Sequence, residues 1–145
     1  MQIRSIASVL IGVLFLTLTG CGDGFRIVPY SGQVTTADGK PLEKIFVEFY
    51  PTAGGPKSIG ETDAEGKFSL KTVEGEEGAV AGDHKVTLRD TSILGDKFLG
   101  RAGEHVDMTE GRKPRIANKY TSVDNSGLTC SVSEGASTVF KADAK

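Results

Sequence analysis

Short runs of alternating apolar and polar residues, each closed by Gly, Asp or Pro, restrict this 145-residue chain more than any other feature. A period of two places one set of side chains on one face of a strand, whereas a helix needs a period of 3.6. Residues 30–36 align Tyr30, Gly32 and Val34. Residues 45–50 set Ile45, Val47 and Phe49 against Phe46, Glu48 and Tyr50, and residues 82–89 align His84, Val86 and Leu88. Residues 58–62 and 67–71 read as two further strands, and residues 128–132 alternate Leu128, Cys130 and Val132 with Thr129 and Ser131. Residues 137–141 form a last strand whose inward residue, Val139 or Phe140, the pattern leaves open. Asp38-Gly39 and Asp63-Ala64-Glu65-Gly66 are turn signals, because Gly accepts positive φ and Asp caps its own turn. About seven strands at this spacing, with 19 Gly and no long helical period, predict an all-β chain: a seven-stranded antiparallel β-sandwich.

The first twenty residues follow a different grammar. Arg4 precedes an uncharged apolar stretch over residues 6–18, too short to span a hydrocarbon core that needs about 20 residues. A charged start, a short apolar run and small residues before a cleavage point describe a secretory signal. The stretch ends Leu18-Thr19-Gly20-Cys21, which resembles the lipobox of bacterial lipoproteins. The expectation is a signal peptide over residues 1–20, lipid modification at Cys21, a tether over residues 21–29 and a domain over residues 30–145. Acyl chains on Cys21 would make membrane lipid its first partner, at about 0.8 kcal/mol per buried methylene. The later apolar runs are short and alternating, so no second membrane segment is predicted. The protein is expected on the periplasmic or cell-surface side, on a membrane that the pattern does not identify.

Loss of Arg4 leaves 16 Lys and Arg against 19 Asp and Glu, a mildly acidic domain without the basic footprint of a nucleic-acid binder. With Cys21 lipidated, Cys130 has no partner within the chain, so a disulfide framework is excluded.

Several motifs occur in a familiar order: Ser31-Gly32-Gln33-Val34, Asp38-Gly39-Lys40-Pro41-Leu42, then Val47-Glu48-Phe49-Tyr50-Pro51. Thr62-Asp63-Ala64-Glu65-Gly66-Lys67-Phe68 and Gly82-Asp83-His84-Lys85-Val86 continue the series. Together they resemble the transthyretin-like, carboxypeptidase-regulatory-like domains. Ile116-Ala117-Asn118-Lys119-Tyr120 and Ser126-Gly127-Leu128-Thr129 are similar to the end of small standalone members found as bacterial lipoproteins. The resemblance spans most of residues 30–140, except 91–115, and implies a prealbumin-like or immunoglobulin-like sandwich that is usually non-catalytic.

The inventory of reactive side chains agrees. His84 and His105 belong to no zinc-binding spacing, and a lone imidazole brings no second ligand with it. His84 reads as a satisfied strand-edge histidine and His105 as a solvated loop residue. Cys130, between Leu128 and Val132, reads as a small buried hydrophobe and not a nucleophile. Asp38, Asp63 with Glu65, and Asp124 with Asn125 each supply too few oxygens for calcium, and turn geometry explains them. No catalytic residue, metal or cofactor is expected. The enzymatic alternative is a transthyretin-related hydrolase of 5-hydroxyisourate, but the chain ends Lys141-Ala142-Asp143-Ala144-Lys145 and lacks the C-terminal Tyr-Arg-Gly-Ser that resemblance would require.

The remaining segment, residues 91–115, is a long insertion dense in mixed charge. Loops beyond about 12–15 residues are uncommon in compact domains and are usually functional or disordered. Phe98, Leu99 and Arg101 are the candidate partner-contacting residues, since aromatic and Arg side chains dominate interface energetics. The expected role is a lipid-anchored, non-catalytic binding or structural module whose partner is an envelope protein or polysaccharide.

Overall fold

The computed structural model describes residues 24–94 and 111–145. Within them the chain is all-β, with ten strands in three sheets and one short 3-10 helix, Asn118–Thr121. The strands are β1 (Ile27–Val28), β2 (Ser31–Thr36), β3 (Ile45–Pro51), β4 (Ser58–Glu61) and β5 (Lys67–Ser69). They continue with β6 (Lys71–Thr72), β7 (Ala79–Val80), β8 (Gly82–Asp90), β9 (Leu128–Val132) and β10 (Ser137–Ala142). The expected count of seven is exceeded: the seven strands of three residues or longer overlap the segments read from the sequence, and β1, β6 and β7 are additional two-residue strands.

The large sheet has the order β6-β4-β3-β8-β9 and the small sheet β10-β2-β5. Phe49, on the central strand of the large sheet, joins them. Its ring lies 6.1 Å from Phe68 on β5 and 5.9 Å from Phe140 on β10, and 5.8 Å from Tyr30. Ile45, Val47, Phe49, Val86 and Leu88 from the large sheet and Val34, Phe68 and Phe140 from the small one are all buried. The two sheets therefore share one apolar layer, as strands with a single apolar face require.

Small-residue chemistry permits that contact at Gly32. A Cβ there would come within 2.6 Å of the Phe68 ring and 2.7 Å of the Thr138 carbonyl oxygen. Without one, Phe68 lies across β2 and stacks on Phe140, with centroids 6.4 Å apart and planes 14° from parallel.

Three details depart from the sequence reading, and a fourth settles what it left open. The expected all-antiparallel arrangement fails at one ladder, where β10 runs parallel to β2 from Ser137 opposite Ser31 to Ala142 opposite Thr36. β9 and β10 belong to different sheets, so the turn between them, not a hairpin, sets the direction of β10. The single strand expected over residues 67–71 divides at buried Leu70, where the chain passes from the small sheet to the large one. The expected tether over residues 21–29 ends sooner, because Ile27–Val28 pairs with Ala79–Val80 and Val28 enters the core. Gly78, at φ 115°, lets that ribbon form, since a Cβ there would collide with the Val28 carbonyl. Last, Phe140 is the inward residue of β10 at 5% exposed, and Val139 stands outside at 55%.

Tyr120 locks the C-terminus. Its hydroxyl donates to the Asp143 carboxylate at 2.9 Å and accepts from the Asp143 backbone N–H at 3.1 Å. At Asp63 the expected turn is completed by its own side chain, whose Oδ1 accepts from the Glu65 and Lys67 amides.

Gly32→Ala should cost about 1–3 kcal/mol, because a backbone carbonyl and a packed ring must both move. Chemical denaturation of the full chain checks this, and an unchanged midpoint would show that the Phe68–Phe140 stack does not depend on the missing Cβ.

Candidate functional site

Cys21, Phe98, Leu99 and Arg101, the residues the sequence singles out, lie outside the described residues, as do the signal segment and residues 95–110. The base of the insertion is described, and it is a built structure. Asp90 closes β8 with its side chain fully buried. Its Oδ2 accepts from the Arg115 backbone N–H at 2.8 Å and from Nε at 2.9 Å, while Oδ1 accepts from Nη2 at 2.9 Å. Ser92 adds its backbone N–H and its hydroxyl to Oδ1, at 3.1 and 2.6 Å. The two-pronged guanidinium–carboxylate contact fixes orientation as well as distance. Arg115 also donates to the Glu43 carbonyl at 2.6 Å, tying the pair to the chain entering β3.

A second contact joins the same place. Lys44, a non-glycine residue at φ 58°, turns its carbonyl to accept from both the Thr91 backbone N–H and hydroxyl. That left-handed backbone conformation is rare for a residue with a Cβ, and it persists where surrounding bonds over-determine it. The two ends of the insertion are thus clamped together on the rigid end of the large sheet.

Burial pushes the Asp90 carboxyl up, but the bonds from Arg115 and Ser92, with the Arg115 charge, outweigh it and bring the pKa down to about 2. In the sequence, Asp90 is a strand end and Arg115 one of many charges. Only their positions on either side of the insertion hinted at a pair.

The other cluster of reactive side chains lies at the opposite end of β8. His84 is 1% exposed and packs 5.6 Å from the Phe49 ring. Its Nδ1 is 3.0 Å from the Gly82 carbonyl, and Nε2 has no hydrogen-bond partner. The expectation of a satisfied histidine therefore holds for one ring nitrogen only. Burial lowers the imidazole pKa, against the opposing influence of the Gly82 carbonyl and the Asp83 charge. Cys130 faces His84 directly across the β8–β9 ladder.

The thiol is not the fully buried hydrophobe that its neighbours suggested. It is half-buried, because β9 is the edge of the large sheet and no further strand covers it. Its Sγ lies 2.9 Å from the Tyr30 hydroxyl, and burial followed by that contact raises the Tyr30 pKa. Thr52, Asp83, His84, Thr129, Cys130 and Ser131 line a cavity of about 460 Å³ beside them. Among the described residues, no three His, Cys, Asp or Glu side chains form a metal-holding group, and no helix is long and apolar enough to cross a membrane.

No family model, curated protein or solved structure matches the chain. What it does has to follow from its own residues.

The Asp90 clamp gives a pH signature. A carboxyl whose pKa is lower folded than unfolded adds stability above its unfolded value, and that stability disappears as pH falls through the folded value. The parent should therefore lose up to about 2 kcal/mol relative to Asp90→Asn between about pH 4 and pH 2. Urea midpoints of both chains across that range provide the measurement. Parallel pH curves would mean that the carboxylate contributes no titratable stability.

Proposed function

We propose that the protein is a lipid-anchored, non-catalytic module that presents residues 95–110 to a protein partner in the cell envelope. In this reading Cys21 carries the acyl anchor and Phe98, Leu99 and Arg101 make the contact. The domain is a seven-stranded sandwich of the transthyretin-like, carboxypeptidase-regulatory-like kind, an assignment supported by its seven longer strands and two facing sheets.

The observation that carries the proposal is the placement of the two ends of β8. At its start, the Ala81 N–H donates to the Arg26 carbonyl, and Ile27 pairs with Val80, so the first described residues lie at that end. Asp90 and the insertion base close the other end. A nine-residue strand separates them by about 26 Å at roughly 3.3 Å per residue. An anchor a few residues before Gly24 would hold the first end near the membrane and direct the insertion away from it. A charged segment clamped at that distance is suited to contact.

Two experiments test separate parts. Cys21→Ala should abolish lipidation and move the protein from the membrane fraction to the soluble one. A mutant that still required detergent for release would end the anchor reading. Replacing residues 95–112 with a short Gly-Ser linker should spare the fold and remove partner crosslinks in intact cells. Crosslinks that survive would place the contact elsewhere, and a polysaccharide adduct in place of a protein one would change the class of partner.

A further inference from the structure

We propose that His84 and Cys130 form a binding site for one soft monovalent metal ion, Cu(I) or its analogue Ag(I), at the open edge of the sandwich. The inference is independent of the anchored-module reading. It rests on a buried histidine with one unpartnered ring nitrogen that lines the same cavity as a thiol. His84 Nε2 is inaccessible and makes no hydrogen bond, although burying an unpaired polar atom is costly. Its other nitrogen meets the Gly82 carbonyl at 3.0 Å. A proton on Nδ1 donated to that carbonyl leaves the Nε2 lone pair free, the arrangement typical of metal-binding imidazoles.

Cys130 is the cross-strand partner of His84, and both line the cavity with Thr52 and Ser131. Directly opposed residues have Cβ atoms about 4.5–5.5 Å apart. That spacing brings both side chains to the same face of the sheet, where one ion can be shared between them.

The ligand count and the soft sulfur select the ion. No third His, Cys, Asp or Glu joins the pair among the described residues, so a four-coordinate site for a divalent ion is not built. A thiolate is a soft ligand and favours Cu(I). On binding, the S–H bond breaks, the S–metal bond forms and the proton leaves to solvent. The Tyr30 hydroxyl, 2.9 Å from the sulfur, then donates its hydrogen bond to the thiolate.

The test uses the chain carrying Cys21→Ala, so that Cys130 is its sole thiol. Anaerobic titration with Cu(I) against a competing chelator should give one ion per chain, one proton released and a raised thermal midpoint. Cys130→Ser should abolish binding, and His84→Gln should weaken it at least tenfold. Equal affinity in folded His84→Gln would reduce the site to a lone thiol, and retained binding in Cys130→Ser would move it elsewhere; either result overturns the proposal. Should His84→Gln fail to fold, nitrogen NMR of the parent decides. The His84 Nε2 resonance should shift on addition of Cu(I) or Ag(I), and an unmoved resonance refutes coordination.

Discussion

Phe49 is the residue on which the rest of the structure depends. It lies at the middle of the central strand of the large sheet, and its ring touches Tyr30, Phe68, His84 and Phe140. Those four come from the start of the domain, the small sheet's two outer strands and the neighbouring strand of its own sheet. An aromatic side chain buries on the order of 150–250 Å² and prefers tilted or edge contacts at 4.5–7 Å, the range found here. Phe49 thus draws together segments that are far apart in the chain. Gly32 matters for the same reason, since the space it leaves open admits Phe68 to the cluster.

Polar groups in and around that core divide into two kinds. Thr62 belongs to the first: its hydroxyl donates to the Leu42 carbonyl and accepts from the Ile45 N–H, bridging the chain as it enters β3. Asp90 is another, with every contact directed at closing the insertion base. These groups are buried at little net cost because their bonds are made. His84 belongs to the second kind, half-bonded and half-orphaned. As packing alone, an imidazole at that position is poorer than an apolar residue of similar size. The cost is explained if Nε2 has a use that the polypeptide itself does not supply.

Local pattern made most of the fold legible. Ile45, Val47 and Phe49, and likewise His84, Val86 and Leu88, occupy one buried face each, as strict alternation requires. Asp38-Gly39 and Asp63 with Gly66 turn the chain where turn chemistry places them. Alternation is silent about which strands become neighbours. The parallel β2–β10 ladder, the corner at Leu70 and the β1–β7 ribbon are long-range events, and two-residue strands carry too little pattern to be seen. The sites failed to appear for the same reason. Asp90 and Arg115 are 25 residues apart, and Tyr30 and Cys130 are 100 apart. Alternation placed Cys130 on the inner face, but its exposure follows from β9 being an edge strand, a property of sheet order and not of sequence.

Sheet order also explains why the two chemically distinctive regions stay separate. β8 is paired by β3 from His84 to Asp90 and by β9 from Gly82 to Val86. The near half carries His84 opposite Cys130, at the end where the first described residues pack. The far half, beyond the reach of β9, ends in Asp90, which holds Arg115. β9 stops opposite Val86, so it does not cover the end of β8 where Asp90 meets Arg115. A longer β9 would compete with Arg115 for the flank of β8 near Asp90. The length of that one edge strand therefore decides whether Asp90 can hold Arg115, and with it the clamp at the base of the insertion.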